Sequence, residues 1–326
     1  MPTDDNTAMR IFGRYGEAGF RLSGYKAKDR RGDEGMLFLN QVVNGLGTGA
    51  IYALVALGYT MVYGIVKLIN FAHGDILMVG SYTAVLLMVN VGVSFPVALV
   101  ASMLMCMVFG VVIERIAYKP LRSAPRICSL ITAIGVSYFL QNSAQLLLTA
   151  NPRPFPTVFQ VPPIRIGTLN ISFVSLLTVS VAILLMILLT LFVKKSRMGK
   201  AMRAVSEDIG AAQLMGINAN ITISLTFAIG CMLAGVGAVL YCIAYPTVAP
   251  TMGAMPGLKA FIAAVLGGIG VLPGAMLGGF LMGVAESLTK GYISTSLSDA
   301  VVYGILIVVL LFKPAGILGK AAREKV

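Results

Sequence analysis

The sequence predicts an all-α, polytopic helical membrane protein of about eight to nine apolar segments, including a broken pair of short helices. Three observations carry that prediction. Hydrophobic residues make up 57% of the chain and charged residues 12%, with a mean hydropathy of +0.88, which is outside the range of soluble globular domains. The apolar residues gather in runs close to the roughly 20 residues a helix needs to cross a bilayer. The net charge of +12 is not spread as on a nucleic-acid-binding surface. It collects in short basic segments beside the apolar runs, the pattern of membrane topology.

Residues 1–35 carry both charge signs and no apolar run, which predicts a disordered extension or a mis-assigned start, with Met36 opening the transmembrane domain, residues 36–326. The segment has no continuous apolar core and does not read as a signal peptide. Spans are expected near residues 37–59, 75–92, 95–114, 128–149, 171–193, 221–245 and 298–312. Residues 257–288 are too long for one span and are interrupted by GGIGVLPG, residues 267–274. Two short helices are expected there, as a re-entrant pair or as two crossings. Irregular backbone at membrane depth is tolerated only where protein or a water-filled cavity satisfies it, so Gly267, Gly268 and Gly270 are candidates for the translocation path.

Orientation follows from Lys and Arg. The loops carrying Arg115, Lys119, Arg122 and Arg126, then Lys194 to Arg203, then Lys313 to Lys325 are expected to be cytoplasmic. Residues 151–170 between them, rich in proline, form an outer loop with no helix signal. Counting back places Met36 outside.

Polar residues inside such a chain are costly unless used. Asn70, His73 and Asp75 flank Gly74 at a break between apolar runs. They are candidates for substrate contact, a proton relay or the fixing of a broken helix; the alternative is that Asn70 and Asp75 cap the helix beginning near Gly74. A lone histidine without ligand spacing offers no metal site. Glu286 and Lys290, four apart, are expected to pair on one face. Asp299 suits a helix start, Glu114 a helix end, and Lys259 has the length to snorkel to the interface. Four cysteines, Cys106, Cys128, Cys231 and Cys242, read as small packing residues. Gly230, Ala234 and Ala238, and Ala275, Gly279 and Gly283, form ladders that let helices approach closely, inside one subunit or between subunits.

The longest polar insert, residues 194–220, contains Met202, Val205, Ile209, Ala212 and Met215 at helical spacing, while Arg203, Glu207 and Gln213 fall off that stripe. A helix from about Glu207 to Met215, roughly 14 Å long, is expected, with Ser206 as its cap, Glu207 and Asp208 at its positive end and Gly216 as a left-handed stop. It is either a solvated loop helix or a docking surface.

No GxxxxGK[ST] phosphate loop, HExxH or GxSxG occurs in the sequence, so nothing points to an enzyme, a cofactor or a bound metal. Three blocks together are more specific. Residues 49–82, GAIYALVALGYTMVYGIVKLINFAHGDILMVGSY, 196–218, SRMGKAMRAVSEDIGAAQLMGIN, and 257–279, GLKAFIAAVLGGIGVLPGAMLGG, with FKPAGILG at 312–319, closely resemble the integral-membrane permease subunits of bacterial branched-chain amino acid ABC importers, the H-type subunit in particular. The resemblance runs from about Met36 to the end.

It implies a multi-pass inner-membrane permease that works with a second homologous permease subunit, two cytoplasmic ATP-binding subunits that hydrolyse ATP, and a periplasmic or lipoprotein substrate-binding protein. It also implies that the loop at 194–220 is the ATPase-coupling segment, with Arg203, Glu207, Asp208 and Gly216 where the family's pattern has them and Ile209, Ala212 and Met215 on the docking stripe. Import of leucine, isoleucine and valine is the expected function. Urea or short-amide import by a similar permease is the alternative, and a stand-alone secondary transporter or channel is a further one.

Overall fold

The computed structural model describes the backbone of residues 6–122, 124–159, 161–166 and 169–319, with side chains from residue 35 onward except at 126 and 165–169. The expectations for residues 1–34 therefore lie outside the described side chains, and the apolar part of the first helix begins at Gly35.

The first helix, α1 (Asn6–Val66), is the centre of the bundle. Residues 50–57 are buried almost completely, as expected of a helix that is apolar all round. It ends at Lys67, whose backbone is left-handed at φ 55°. After a six-residue turn follow α2 (His73–Leu86), which continues through one π turn to Val91, and α3 (Phe95–Ile113), which continues through a π turn and a 3-10 turn to Leu121. Then come α4 (Arg126–Leu148) and α5 (Phe173–Lys195), two outer helices with largely exposed apolar faces.

The loop between them is more ordered than its composition suggested. Strand β1 (Arg153–Pro154) pairs with β4 (Thr247–Val248), and β2 (Ile164–Ile166) forms a hairpin with β3 (Leu169–Ile171). Phe159 is held between Phe95 and Phe173, with ring centroids 5.5 and 5.6 Å away.

Past α5 the basic insert forms two short helices, α6 (Arg197–Glu207) and α7 (Ile209–Leu214). The long α8 (Ala219–Ala244) then returns into the bundle against α1, α2 and α3. Helices α9 (Ala254–Gly267) and α10 (Leu272–Tyr292) are separated by a four-residue break and bent by 120°. They pack against each other as a hairpin: a Cβ added at Gly278 or Gly267 would strike the backbone of Ala263 or Gly274. The chain closes with α11 (Ser298–Phe312).

Among the described residues six helices are long and apolar enough to cross a membrane, or seven spans with the bent pair counted as one, and α11 is a shorter apolar helix. The expected segments are thus all present as helices. At 14 residues α9 is about 21 Å long, short of a 30 Å hydrocarbon core, whereas the 21 residues of α10 reach about 31 Å, so the pair is a hairpin with one short and one full-length arm.

The small-residue ladders serve contacts inside this chain. Gly279 and Gly283 lie on α1: a Cβ at Gly279 would come 2.7 Å from the Ala53 Cα, one at Gly49 would come 2.7 Å from the Gly279 carbonyl oxygen, and one at Gly283 would fall on Gly49. Gly230 lies against Gly58. Because lipid tails give helices no hydrophobic reason to associate, such close approach supplies the packing that holds them.

Overpacking a fitted contact costs about 1–3 kcal/mol, so Gly283→Ala is expected to lower the thermal midpoint of the purified protein by several degrees. Gly135→Ala, where an added Cβ would meet nothing within 4 Å, should leave it unchanged. Size-exclusion chromatography after a temperature series checks both.

Candidate functional site

At the basic end of the bundle the polar insert folds differently from the single helix expected. Asp208, with extended backbone at φ −153° and ψ 116°, splits it. Asp208 is the cap: its Oδ1 accepts from the Ala211 amide at 3.0 Å. Ser206 is not a cap, because its hydroxyl donates back to the Arg203 carbonyl at 2.7 Å within α6. The first cap of the insert is Ser196, whose Oγ accepts from the Gly199 amide at 2.8 Å.

Gly216 is the left-handed stop, at φ 81°. Its amide bonds to the Gln213 carbonyl and the Ile217 amide to the Ala212 carbonyl, each at 3.0 Å, which is the Schellman pattern.

The apolar stripe divides along with the helix. Met202, Val205 and Ala212 are buried in this chain's own core, whereas Ile209 is 44% and Met215 82% exposed. Leu214, overlooked because it lies off the stripe, is 90% exposed. Two exposed apolar side chains on the six-residue helix, Ile209 and Leu214, with Met215 just after it, form an exposed apolar knob. Glu207 is exposed, and Arg203 turns back to the Lys194 carbonyl at the end of α5, 3.3 Å away. The knob is anchored to α3 through the start of α8: buried Glu114 accepts from Arg122 and, at 2.5 Å, from the Ser224 hydroxyl, while Arg122 also donates to Asn220 Oδ1 at 2.6 Å.

The turn between α1 and α2 brings Asn70, His73 and Asp75 together in sequence but sends each to a different partner. Asn70 Oδ1 accepts from the Tyr118 hydroxyl at 2.8 Å. His73 packs edge-on to Tyr59, with ring centroids 4.6 Å apart, and its Nδ1 lies 3.9 Å from Cys231 Sγ. Asp75 accepts from Gln141 Nε2 of α4 at 2.9 Å. No side chain caps α2, so the capping reading is corrected: with the carboxylate reaching α4, Asp75 cross-links two helices. It still sits in the first turn, where the helix dipole favours an acid.

The break between α9 and α10 is closed by protein. The last carbonyls of α9, at Leu266 and Gly267, accept from the amides of Ile317 and Leu318 at 2.9 and 3.0 Å. The segment after α11 thus supplies the donors that irregular backbone in a membrane requires. Gly267 and Gly268 are buried under this segment, and Gly270 is exposed at the turn, beside Gly64 at the end of α1.

The strongest polar feature was only partly visible in the sequence. Lys259 does not snorkel to the surface: its Nζ lies 2.8 Å from Glu286 Oε1 and 2.7 Å from Asp299 Oδ1. Glu286 also accepts from Lys290 at 2.6 Å, the expected pair, and from the Tyr52 hydroxyl at 2.9 Å. Four helices, α1, α9, α10 and α11, therefore meet in one charge-balanced network. The side chains of Lys259 and Glu286 are 9% and 3% exposed. Two cations and two acids spread over 259, 286, 290 and 299 were the available signal.

Residues 41–310 match the model of the family described as branched-chain amino acid transport system / permease component. The chain belongs to this family. The permease is 47% identical over 301 residues to the high-affinity branched-chain amino acid transport system permease protein BraD of Pseudomonas aeruginosa, covering 89% of this chain and 98% of that protein. It is 43% identical over 304 residues to the LivH protein of the same description in Escherichia coli K12, with the same coverage. A probable LivH of Methanocaldococcus jannaschii is 29% identical over 281 residues, covering 82% of this chain and 89% of that protein. With its apolar helices, the permease is a multi-pass membrane protein.

Breaking a buried ion pair by removing one partner costs about 3–5 kcal/mol, whereas an exposed pair is worth about 0–1 kcal/mol. Lys259→Met and Glu286→Gln are each expected to lower the thermal midpoint markedly, and Lys290→Gln, whose side chain is 39% exposed, only slightly. The double variant of 259 and 286 should lose less than the sum of the singles, since it removes both buried charges and leaves only Lys290 and Asp299, each with its side chain 39% exposed. Equal, additive losses in the thermal series would count against the network.

Proposed function

We propose that the chain is the transmembrane permease subunit of an ATP-binding-cassette importer in the bacterial inner membrane, forming the translocation path for leucine, isoleucine and valine. The carrying observation is the match to relatives described as branched-chain amino acid permeases across 98% of their length. The basic end of the bundle faces the cytoplasm, as the distribution of Lys and Arg favours. ATP hydrolysis takes place on two separate cytoplasmic subunits. A second homologous permease completes the membrane core, and a periplasmic or lipoprotein binding protein delivers substrate to the opposite end.

The knob on α7 is the coupling contact. Ile209, Leu214 and Met215 seat in a groove of an ATP-binding subunit, Ala212 and the caps Asp208 and Gly216 hold the helix in shape, and Arg203 and Glu207 lie at the rim. Apolar anchors that become fully desolvated carry most of such a contact, and rim charges carry little. The candidate path residues Asn70, His73 and Asp75, with Gly267, Gly268 and Gly270, act through helix packing: each contacts a neighbouring helix or loop of this chain.

Leu214→Asp and Ile209→Asp should abolish co-purification of the ATP-binding subunits and the stimulation of ATP hydrolysis by substrate-loaded binding protein in liposomes, with insertion unaffected. Glu207→Gln should retain most of both. Labelled leucine uptake by the wild-type complex tests the substrate, and uptake of urea with no uptake of leucine would overturn that assignment.

A further inference from the structure

Between Glu114 and Glu207 the sequence contains no acidic residue. Within that interval four cations fall in seven residues, Lys194, Lys195, Arg197 and Lys200, all exposed. Among the described residues none of these four side chains has an ion-pair partner.

Their position is fixed by two contacts. Gly199 lies so close to the Val193 carbonyl that a Cβ there would strike it, and Met202 and Val205 are buried beneath α6. Helix α6 is therefore folded back under the bundle and cannot extend away from it. Arg203, bonded to the Lys194 carbonyl, brings a fifth cation to the same place.

The patch also continues an apolar surface. On α5, Leu184, Ile187, Leu188 and Leu191 are between 43% and 56% exposed. Their spacing places them on one stripe of the helix, and Lys194 and Lys195 are its next members, three and four residues past Leu191. A stripe of exposed leucine and isoleucine ending in lysine is a surface for an acyl chain and its headgroup.

We propose that this end of α5 and the start of α6 bind the headgroups of anionic phospholipids in the adjoining leaflet, which hold α6 at the membrane surface and so fix the level at which α7 projects. Juxtamembrane basic clusters are attracted to anionic lipid, and screening by salt weakens that attraction.

The test uses the purified full-length permease in vesicles of phosphatidylcholine with spin-labelled phosphatidylglycerol or spin-labelled phosphatidylcholine as the probe. The motionally restricted fraction in the electron paramagnetic resonance spectrum reports lipid held at the protein. Wild-type protein is expected to favour phosphatidylglycerol about twofold or more, with the preference declining as salt rises. The fourfold variant Lys194→Gln, Lys195→Gln, Arg197→Gln, Lys200→Gln should lose most of that preference and keep its restricted phosphatidylcholine. Lys195→Gln alone, a surface change on α5, should lose part of it and guards against misfolding of the fourfold variant. Arg115→Gln with Lys119→Gln, at the end of α3, should lose less than the fourfold variant. No preference in the wild type, or an undiminished preference in both patch variants, would overturn the proposal. Co-purification of the ATP-binding subunits with the same variants is measured alongside, and their loss with lipid preference intact would also overturn the proposal and give the patch to a protein partner.

Discussion

The bundle depends on a contact made almost without side chains. Along α1, Gly45, Gly49 and Ala53 meet α10 at Val284, Gly283 and Gly279, so closely that the backbones themselves touch. In hydrocarbon no hydrophobic gain draws two apolar helices together, and close van der Waals approach has to do so. With α10 seated on α1, the rest of the hairpin follows. Helix α9 packs on α10 through Ala263, Gly267, Gly274 and Gly278, and the break between them is brought beside Gly64. There, Ile317 and Leu318 complete the hydrogen bonding of the last turn of α9.

That contact also explains where the buried charges lie. Seating α10 against α1 places Glu286 within 2.9 Å of the Tyr52 hydroxyl, and folding α9 back along α10 brings Lys259 to the same carboxylate. Asp299 at the start of α11 takes the other side of the Lys259 ammonium. The network is a consequence of the helix contact, and it pins α11 at one end as the 317–318 amides pin the following segment at the other. Charges retained in such a place are expensive, and here each cation faces at least one acid.

Most of the fold was legible because apolar runs and their breaks are local in sequence. The span limits, the broken pair at 267–274, the left-handed Gly216 and the pairing of Glu286 with Lys290 all follow from spacing within a few residues. What was not legible depends on residues far apart in the chain. Asp75 read as a helix cap because only its own turn was in view, whereas its partner Gln141 lies 66 residues on. Lys259 read as a snorkelling lysine because Asp299 is on another helix. In the polar insert, Ser206 read as the cap and Asp208 only as an acid at the positive end of the helix; the extended backbone of Asp208 gives it the capping position instead. The split of the apolar stripe into buried Met202, Val205 and Ala212 and exposed Ile209 and Met215 was hidden for the same reason: burial is set by packing on α1, α5 and α8, not by the period of the stripe.

Helices α9 and α10 form a hairpin whose turn, beside Gly64 and the segment after α11, reaches the basic end of the bundle while its outer ends stay on the opposite side. Single cysteines at Gly270, Leu214, Tyr292 and Ile164, all exposed positions, introduced into a variant without the four native cysteines and probed with a membrane-impermeant maleimide, test it directly. Positions 270 and 214 are expected to be labelled from one side of the membrane and positions 292 and 164 from the other. Labelling of 270 and 292 from the same side would contradict it.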